Sequence, residues 1–301
     1  MQSVCVLMST YNGAKFLREQ MNSLMEQRGV DLHVVIRDDG STDDTCDIIK
    51  REYPEVELRQ EENIGCEASF SELLYSAPDS DYYAFCDQDD VWKEDKLECA
   101  VAQLSGIDGP AIYGCNLLAC DEELQPIKAI HDAQSIERMR AKKDVDHVFN
   151  MHGCVLVWNR ALQELIESFR PTRVFAHDVW VNAIGNAVGE MVIDETPHIF
   201  YRLHGNNVSG LATGHFARLK KGLRLYFGKN HPQRDLLAKE VLQGYSSHMN
   251  QSTIAYQELV LLANYKKKLA YRFAYMKSHS IRSKKMPDRF FWAICVLLGC
   301  Y

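Results

Sequence analysis

The sequence predicts an α/β fold: a Rossmann-like, mainly parallel mixed sheet flanked by helices, with a helical C-terminal region. Three observations carry this expectation. The first half alternates short β-branched runs with apolar residues at helical spacing, the rhythm of strands joined by crossover helices. Polar clusters at residues 10–12, 38–42 and 87–90 close three of the strand-like runs, on the edge where open α/β sheets bind ligands. From about residue 216 the alternation gives way to helical periodicity, with Leu259, Leu262 and Ala263 set among lysines and tyrosines.

Residues 4–9 (VCVLMS) read as the first buried strand, and Thr10-Tyr11-Asn12-Gly13 as the turn leaving its carboxyl end. Leu17, Met21, Leu24 and Met25 repeat at helical spacing, and a second strand covers 32–36. Asp38-Asp39-Gly40-Ser41-Thr42 follows, with Ser41 and Asp44 spaced as a capping box for the helix carrying Ile48 and Ile49. A third strand at 56–59 leads into the loop Glu62-Asn63-Ile64-Gly65 and a helix through Phe70 and Leu73. The fourth strand, 82–86, ends on Asp87-Gln88-Asp89-Asp90. Strands are then expected at 111–119, 153–158, 191–193 and 198–202, helices at 160–169 and 177–188, and a boundary near 215.

With 46% apolar and 25% charged residues in 301, the chain can bury a large core. No segment reaches the roughly 18 to 20 unbroken apolar residues of a spanning helix, which excludes a polytopic membrane protein. Residues 1–10 carry neither a basic stretch nor a cleavage site, so a cytoplasmic location is expected. Ten cysteines lie scattered, with no Cys-x-x-Cys pair; they read as reduced core thiols, and nothing announces a zinc site. The net charge of −7 hides an asymmetry: residues 1–215 hold 18 Lys+Arg against 37 Asp+Glu, and 216–301 hold 16 against 4. A basic, aromatic-bearing tail suits nucleic acid or an anionic leaflet, and context must decide. The alternative is a helical cap on the rest of the chain or an oligomer contact.

Three carboxylates within Asp87-Gln88-Asp89-Asp90 repel one another unless a cation compensates, and oxygen ligands favour Mg²⁺ or Mn²⁺ bridging to a diphosphate. The competing reading makes Asp90 the cap of a helix over 93–104 and the others solvated turn residues. Asp38 and Asp39 suit a ribose hydroxyl or a pyrimidine imide, or else an Asx turn. Neither G-x-G-x-x-G after the first strand nor G-x-x-x-x-G-K-[ST] occurs, which argues against a dinucleotide cofactor and a P-loop.

In this order and spacing, Ser9-Thr10-Tyr11-Asn12-Gly13, Asp38-Asp39-Gly40-Ser41-Thr42-Asp43, Asn63-Ile64-Gly65 and Cys86-Asp87-Gln88-Asp89-Asp90-Val91-Trp92 resemble the family-2 glycosyltransferases of the GT-A fold, over roughly the first 210 residues. Met151-His152-Gly153-Cys154, His177-Asp178-Val179-Trp180 and Tyr201-Arg202-Leu203-His204-Gly205-Asn206-Asn207 narrow the resemblance to the rhamnosyltransferase-like branch of bacterial polysaccharide biosynthesis. It implies a nucleotide-sugar half at 1–110, an acceptor half at 111–215 and a separate basic region at 216–301. It also implies inverting, metal-dependent transfer of a sugar, L-rhamnose from dTDP-L-rhamnose foremost. The acceptor it implies is an undecaprenyl-diphosphate-linked saccharide in cell-surface polysaccharide assembly, with peripheral contact to the inner face of the membrane and no nucleic-acid partner. A UDP-hexose or UDP-N-acetylhexosamine transferase is the alternative on the same scaffold. A sugar-nucleotide-forming nucleotidyltransferase would need a basic residue in the turn after the first strand, which Thr10-Tyr11-Asn12-Gly13-Ala14 lacks.

Carried over by position, the resemblance makes Thr10, Tyr11, Asn12, Asn63 and Gly65 donor contacts, with Asp39 reading the pyrimidine. Asp87 falls near the ribose or donor sugar, Asp89 becomes the principal metal ligand with His204 completing the site, and Gly153 permits close backbone approach. Asp178 becomes the catalytic base, against the simpler reading of a helix N-terminal acid. The family commonly places Glu before it, where this chain has His177. His177 and Trp180 are acceptor-site candidates, while Trp92 and Tyr201 read more readily as core.

Overall fold

The computed structural model describes residues 1–140, 151–204, 234–282 and 288–299. Chain order begins β1 (Gln2–Thr10), α1 (Leu17–Met25), β2 (Val30–Asp38), α2 (Thr45–Glu52), β3 (Glu57–Gln60), α3 (Cys66–Tyr75) and β4 (Tyr82–Cys86). The four strands are parallel, with β1 between β2 and β4 and β3 beyond β2. Residues Val4, Cys5, Val6, Leu7 and Met8 of β1 are fully buried, the unbroken apolar run expected where both faces of a parallel strand are covered. Leu17, Met21 and Leu24 form the buried stripe of α1; each contributes roughly 1.5–3 kcal/mol relative to exposure.

The second half adds β5 (Val91–Trp92), α4 (Lys96–Leu104), β6 (Ala111–Cys120), β7 (Pro126–Ala129), α5 (Ala133–Arg140), β8 (Leu156–Asn159), α6 (Arg160–Glu167), α7 (His177–Val188) and β9 (Glu190–Arg202). Together the nine strands form one sheet in the order β3-β2-β1-β4-β8-β6-β9-β5, with β7 paired to β6. β8 runs antiparallel to β4 and β6, so the sheet is mixed but mainly parallel, as the sequence predicts.

Several local expectations are corrected. Residues 191–193 and 198–202 belong to one strand, because β9 continues through a register shift opposite Asn116 that absorbs Pro197, which has no N–H to donate. The expected capping box does not form: the Ser41 hydroxyl donates to Asp38 Oδ2 at 2.5 Å, and Asp43 rather than Ser41 accepts from Thr45 N. Nor does Asp90 cap a helix from 93, since α4 begins at Lys96 and Asp90 is fully buried. Residues 153–155 form a single 3₁₀ turn ahead of β8. The expected boundary near 215 lies outside the described residues.

The C-terminal region is helical, with α8 (Arg234–Tyr245), α9 (Ile254–Asn264), α10 (Leu269–Met276), α11 (His279–Arg282) and α12 (Asp288–Leu298). It docks on the sheet domain through α8 against α7. Tyr245 is fully buried beside Phe169 and Trp180, and Glu240 accepts hydrogen bonds from Thr172. Among the described residues, the first helix of the tail, α8, packs as the helical-cap reading expects. No helix among the described residues is long and apolar enough to cross a membrane. The nine cysteines among them are free thiols.

Candidate active site at the carboxyl edge of the sheet

Parallel register brings the carboxyl ends of three strands level: Thr10 lies beside Asp38, and Met8 beside Cys86, the residue before Asp87. The loops after them are tied to each other. Thr10 Oγ1 donates to Asp38 Oδ2 (2.9 Å), and Asp39 N donates to Thr10 O (2.8 Å). Asn12, in the left-handed region at φ 47°, donates its N–H to Ser41 Oγ and accepts from Thr42 N (2.8 Å). Gln88 grips the first turn from the other side, accepting from Tyr11 N (2.9 Å) and donating to Tyr11 O (3.1 Å). A Cβ on Gly13 would meet Gln88 Oε1 at 2.2 Å, so a side chain there would push the Gln88 amide off its bonds to Tyr11. The Tyr11 ring remains half exposed at the rim.

Asp39 is buried and accepts from three groups: Arg37 at 2.5 Å, Ile64 N at 2.9 Å and Gly65 N at 2.9 Å. Its carboxylate thus ties the Asn63-Ile64-Gly65 loop to β2. Gly65, at φ 89°, takes a conformation other residues avoid and opens α3, while Asn63 is exposed at the loop tip.

After β4 the acidic run separates by role. Asp89 Oδ2 stands 2.8 Å from His204 Nε2, so the structure joins the two residues singled out as metal ligands. Asp90 is fully buried; its Oδ1 accepts from Arg202 N (3.1 Å), and its Oδ2 has no hydrogen-bond partner. Asp87, Asp90 and Cys154 bring ligand-type atoms within 4.8 Å of one another. Burial, followed by the charges of Asp89 and Asp178, raises Asp87 to about 7. Burial and the charges of Asp87 and Asp89 likewise push Asp90 well above the carboxylate range. Such crowding is what a cation relieves. Arg202 braces the loop from behind, donating through Nε to Asp89 O (2.9 Å) and through its guanidinium to Glu19 (2.6 Å).

Asp178 lies in the first turn of α7 and accepts from Val179 N at 2.7 Å. It stands near enough to Asp87 for its charge to help raise that carboxyl. Burial raises it to about 6 despite backbone hydrogen bonds that favour the carboxylate. His177, one residue earlier, turns the other way. Its ring stacks on Phe70 (3.8 Å between centroids) and meets Phe85 edge-on (4.6 Å), burial lowers it to about 3, and its Nε2 is buried without a partner. Gly153 lies against that ring, where a Cβ would meet Nε2 at 2.2 Å. Trp180 does not reach the cleft either. It is 3% exposed, stacks on Phe175, donates Nε1–H to Tyr75 OH (3.0 Å), and forms the seat for the tail helix α8. The acceptor-site expectation for His177 and Trp180 is thus at odds with their burial among aromatic side chains. Trp92 and Tyr201 are core residues, the first beneath Lys96 Nζ and the second against His152.

Four residues that hold the site went unread in the sequence: Gln88, Arg37, Arg202 and Cys154. Arg37 left a signal, a charge closing the apolar run before Asp38, and Arg202 stands two positions before His204. Gln88 and Cys154 lay inside the quoted motifs without a role, because their partners come from distant segments.

Residues 5–166, over half of the chain, match the family described as glycosyl transferase family 2. The chain is 26% identical over 231 residues to the dTDP-rhamnosyl transferase RfbG of Shigella flexneri, covering 71% of this chain and 77% of that one. It is 35% identical over 100 residues to the putative teichuronic acid biosynthesis glycosyltransferase TuaG of Bacillus subtilis, covering 32% of this chain and 39% of that protein. Among solved structures, residues 1–349 of S. aureus TarS superpose with a TM-score of 0.59 at 15% identity, covering 99% of this chain and 80% of TarS. The mannosyltransferase PcManGT of Pyrobaculum calidifontis, solved with GDP-Man and Mn²⁺, gives 0.50 at 19% identity, covering all of this chain and 81% of its own. With its mainly parallel curled sheet, GT-A architecture and acidic carboxyl edge, the chain belongs to glycosyl transferase family 2.

Proposed function

We propose that the protein is an inverting, metal-dependent glycosyltransferase that moves L-rhamnose from dTDP-L-rhamnose onto a saccharide acceptor in cell-surface polysaccharide synthesis. The observation that carries the reading is the pairing of Asp89 Oδ2, in the acidic run after β4, with His204 Nε2 2.8 Å away, with Asp178 near enough for its charge to act on Asp87. The similarity to a dTDP-rhamnosyl transferase favours that donor. The alternative donor is a UDP-sugar, in line with the UDP-GlcNAc bound by TarS.

A divalent ion, Mg²⁺ or Mn²⁺, fits the residues present. Asp89 Oδ2 and His204 Nε2 stand at the separation of two ligands of one small ion, and Asp90 Oδ2 adds an unsatisfied oxygen nearby in the chain. When bound, it neutralises charge on the leaving diphosphate. Tyr11, Asn12, Asn63 and Gly65 line the donor side, while Thr10, fully buried with its hydroxyl bonded to Asp38, supports that edge from within instead of touching the donor as the resemblance implied. Asp39 supports it by fixing the loop that holds Asn63 and Gly65, and its remaining lone pair on Oδ2 is the one left for a pyrimidine imide. Asp178 accepts the proton of the acceptor hydroxyl as that oxygen attacks the anomeric carbon opposite the diphosphate, and no covalent enzyme intermediate is needed. Raised to about 6, its carboxyl is ionised at neutral pH yet more basic than an ordinary aspartate.

An undecaprenyl-diphosphate-linked acceptor would lie at the membrane face. The basic tail, with Phe290, Ile294 and Leu298 exposed on one side of α12, suits peripheral contact with anionic lipid there. The test is a panel of dTDP- and UDP-sugars with Mg²⁺ or Mn²⁺, scored for donor consumption by purified protein. dTDP-L-rhamnose should be consumed fastest, and EDTA or Asp89→Ala should stop it. Consumption of a UDP-sugar with none of dTDP-L-rhamnose would replace the donor assignment.

A further inference from the structure

Away from the acidic run, the corner where α4 meets β9 gathers a second set of ligand-type side chains. Asp95 occupies the position before α4, yet its carboxylate makes no capping bond to the helix. It turns to β9 instead, where Asp95 Oδ1 stands 2.9 Å from Nδ1 of His198, a ring only 3% exposed. Cys99 lies one turn further along the same helix face, its N–H bonded to Asp95 O. Ligand-type atoms of Asp95, Cys99 and His198 all fall within 4.8 Å of one another. Ligands of a tetrahedral ion at about 2.0–2.3 Å stand roughly 3.3–3.8 Å apart, so small side-chain adjustments suffice.

The other ring nitrogen is also provided for. His198 Nε2 faces Asp194 Oδ2 at 3.4 Å, and Asp194 is itself held by Tyr113 OH (3.0 Å), Gln103 Nε2 (3.0 Å) and Thr196 N (2.8 Å). This is the carboxylate–histidine arrangement that orients metal-ligating imidazoles. In the tautomer that carries its proton on Nε2, the nitrogen facing Asp194, the ring turns an Nδ1 lone pair toward the Asp95 carboxylate, and a cation bridging the two satisfies both. Of the three, Asp95 also borders a depression open to solvent, where Arg28, Trp92, Lys93, Glu94 and Phe200 are its neighbours.

We propose that Asp95, Cys99 and His198 form a second cation site, distinct from the Asp89–His204 pair, for a borderline-soft divalent ion of the Zn²⁺ class. One thiolate, one imidazole and one carboxylate match that ion rather than Mg²⁺, and water completes the coordination. The ion clamps the start of α4 to the strand that leads to Arg202 and His204, reinforcing the Lys93 N to His198 O bond (2.9 Å) already there. No sequence spacing announced the site, because one helical turn supplies two ligands and a distant strand the third.

The test uses the full chain carrying Asp89→Ala, which removes the donor-side ligand. After loading with Zn²⁺ and gel filtration, about one equivalent should remain. Co²⁺ in its place should show a thiolate-to-cobalt charge-transfer band. Cys99→Ser should abolish the band, and Asp194→Asn, which leaves every ligand in place, should weaken zinc affinity about 10–100-fold. Loss of all zinc by the Asp89→Ala protein, a Co²⁺ spectrum without the band, or an unchanged spectrum in Cys99→Ser would each overturn the proposal. Because replacing buried His198 risks unfolding the corner, alkylation of the unmutated chain gives a second readout. Zn²⁺ should slow labelling of Cys99 relative to exposed Cys66, and equal relative labelling with and without Zn²⁺ would overturn the site.

Discussion

Asp178 shows how one side chain is set for base chemistry and what that setting costs the fold. A general base must be ionised, so the group raised to about 6 should impose an acid limb near pH 6 on kcat/KM, absent from any residual activity of Asp178→Asn. The same shift bears on stability. A carboxyl whose folded pKa lies above its unfolded value binds protons more tightly when folded, so this group's contribution to stability is fully present below about pH 4 and is lost as pH rises through 6. At pH 7.5, Asp178→Asn should therefore stabilise the protein by on the order of 2 kcal/mol, read as a higher Tm, while the difference vanishes toward pH 4. Asp87, Asp89, Asp178 and His204 were legible because short motifs carry them. The orientation of His177 was not, since Phe70 and Phe85, which capture its ring, are separated from it by most of the domain.

The elements that matter most for the site are α7, which presents Asp178, and the 3₁₀ turn at 153–155 packed against its first residue. Gly153→Ala would drive a methyl into His177 Nε2 and displace the start of α7. We expect a loss of about 1–3 kcal/mol of stability together with reduced turnover, both partly restored in the Gly153→Ala/His177→Ala double variant; thermal melts and donor-to-acceptor transfer check this. Independent losses that simply add would show that the two residues do not meet. Strands β1, β2 and β4 were readable because burial on both faces makes them apolar throughout. The two-residue β5 and the exposed β7 lack any such pattern, and Pro197 made the single strand β9 look like two. Start signals for α2 and α4 misled because Ser41 and Asp90 spend their hydrogen bonds on Asp38 and Arg202 instead.

At the scale of the whole molecule, an acidic sheet domain carries a basic helical region whose first helix is seated on Trp180 and Phe169. The far end of that region leaves Leu269 and Phe273 of α10 and Phe290, Ile294 and Leu298 of α12 exposed. Vesicles with anionic headgroups should retain the protein in a sedimentation assay, neutral vesicles should not, and raising ionic strength from 0.1 to about 1 M should release it as the Debye length falls from about 10 to 3 Å. Equal retention on both vesicle types would remove the electrostatic part of the argument. The fold class and the placement of three polar loops on one edge were legible from periodicity and motif order. The seat of the tail was not, because it depends on Phe169, Trp180 and Tyr245, of which the sequence reading gave a role to Trp180 alone, in the acceptor site.

The division of labour between residue 89 and residue 178 is tested most directly by measuring, on Asp178→Asn, both sugar transfer at saturating donor and the Kd for donor in the presence of Mn²⁺. Transfer should fall by roughly 10²–10⁴-fold while donor affinity stays within about twofold of the unmutated protein. Turnover at the unmutated rate, or a collapse of donor binding in place of the rate, would contradict the assignment.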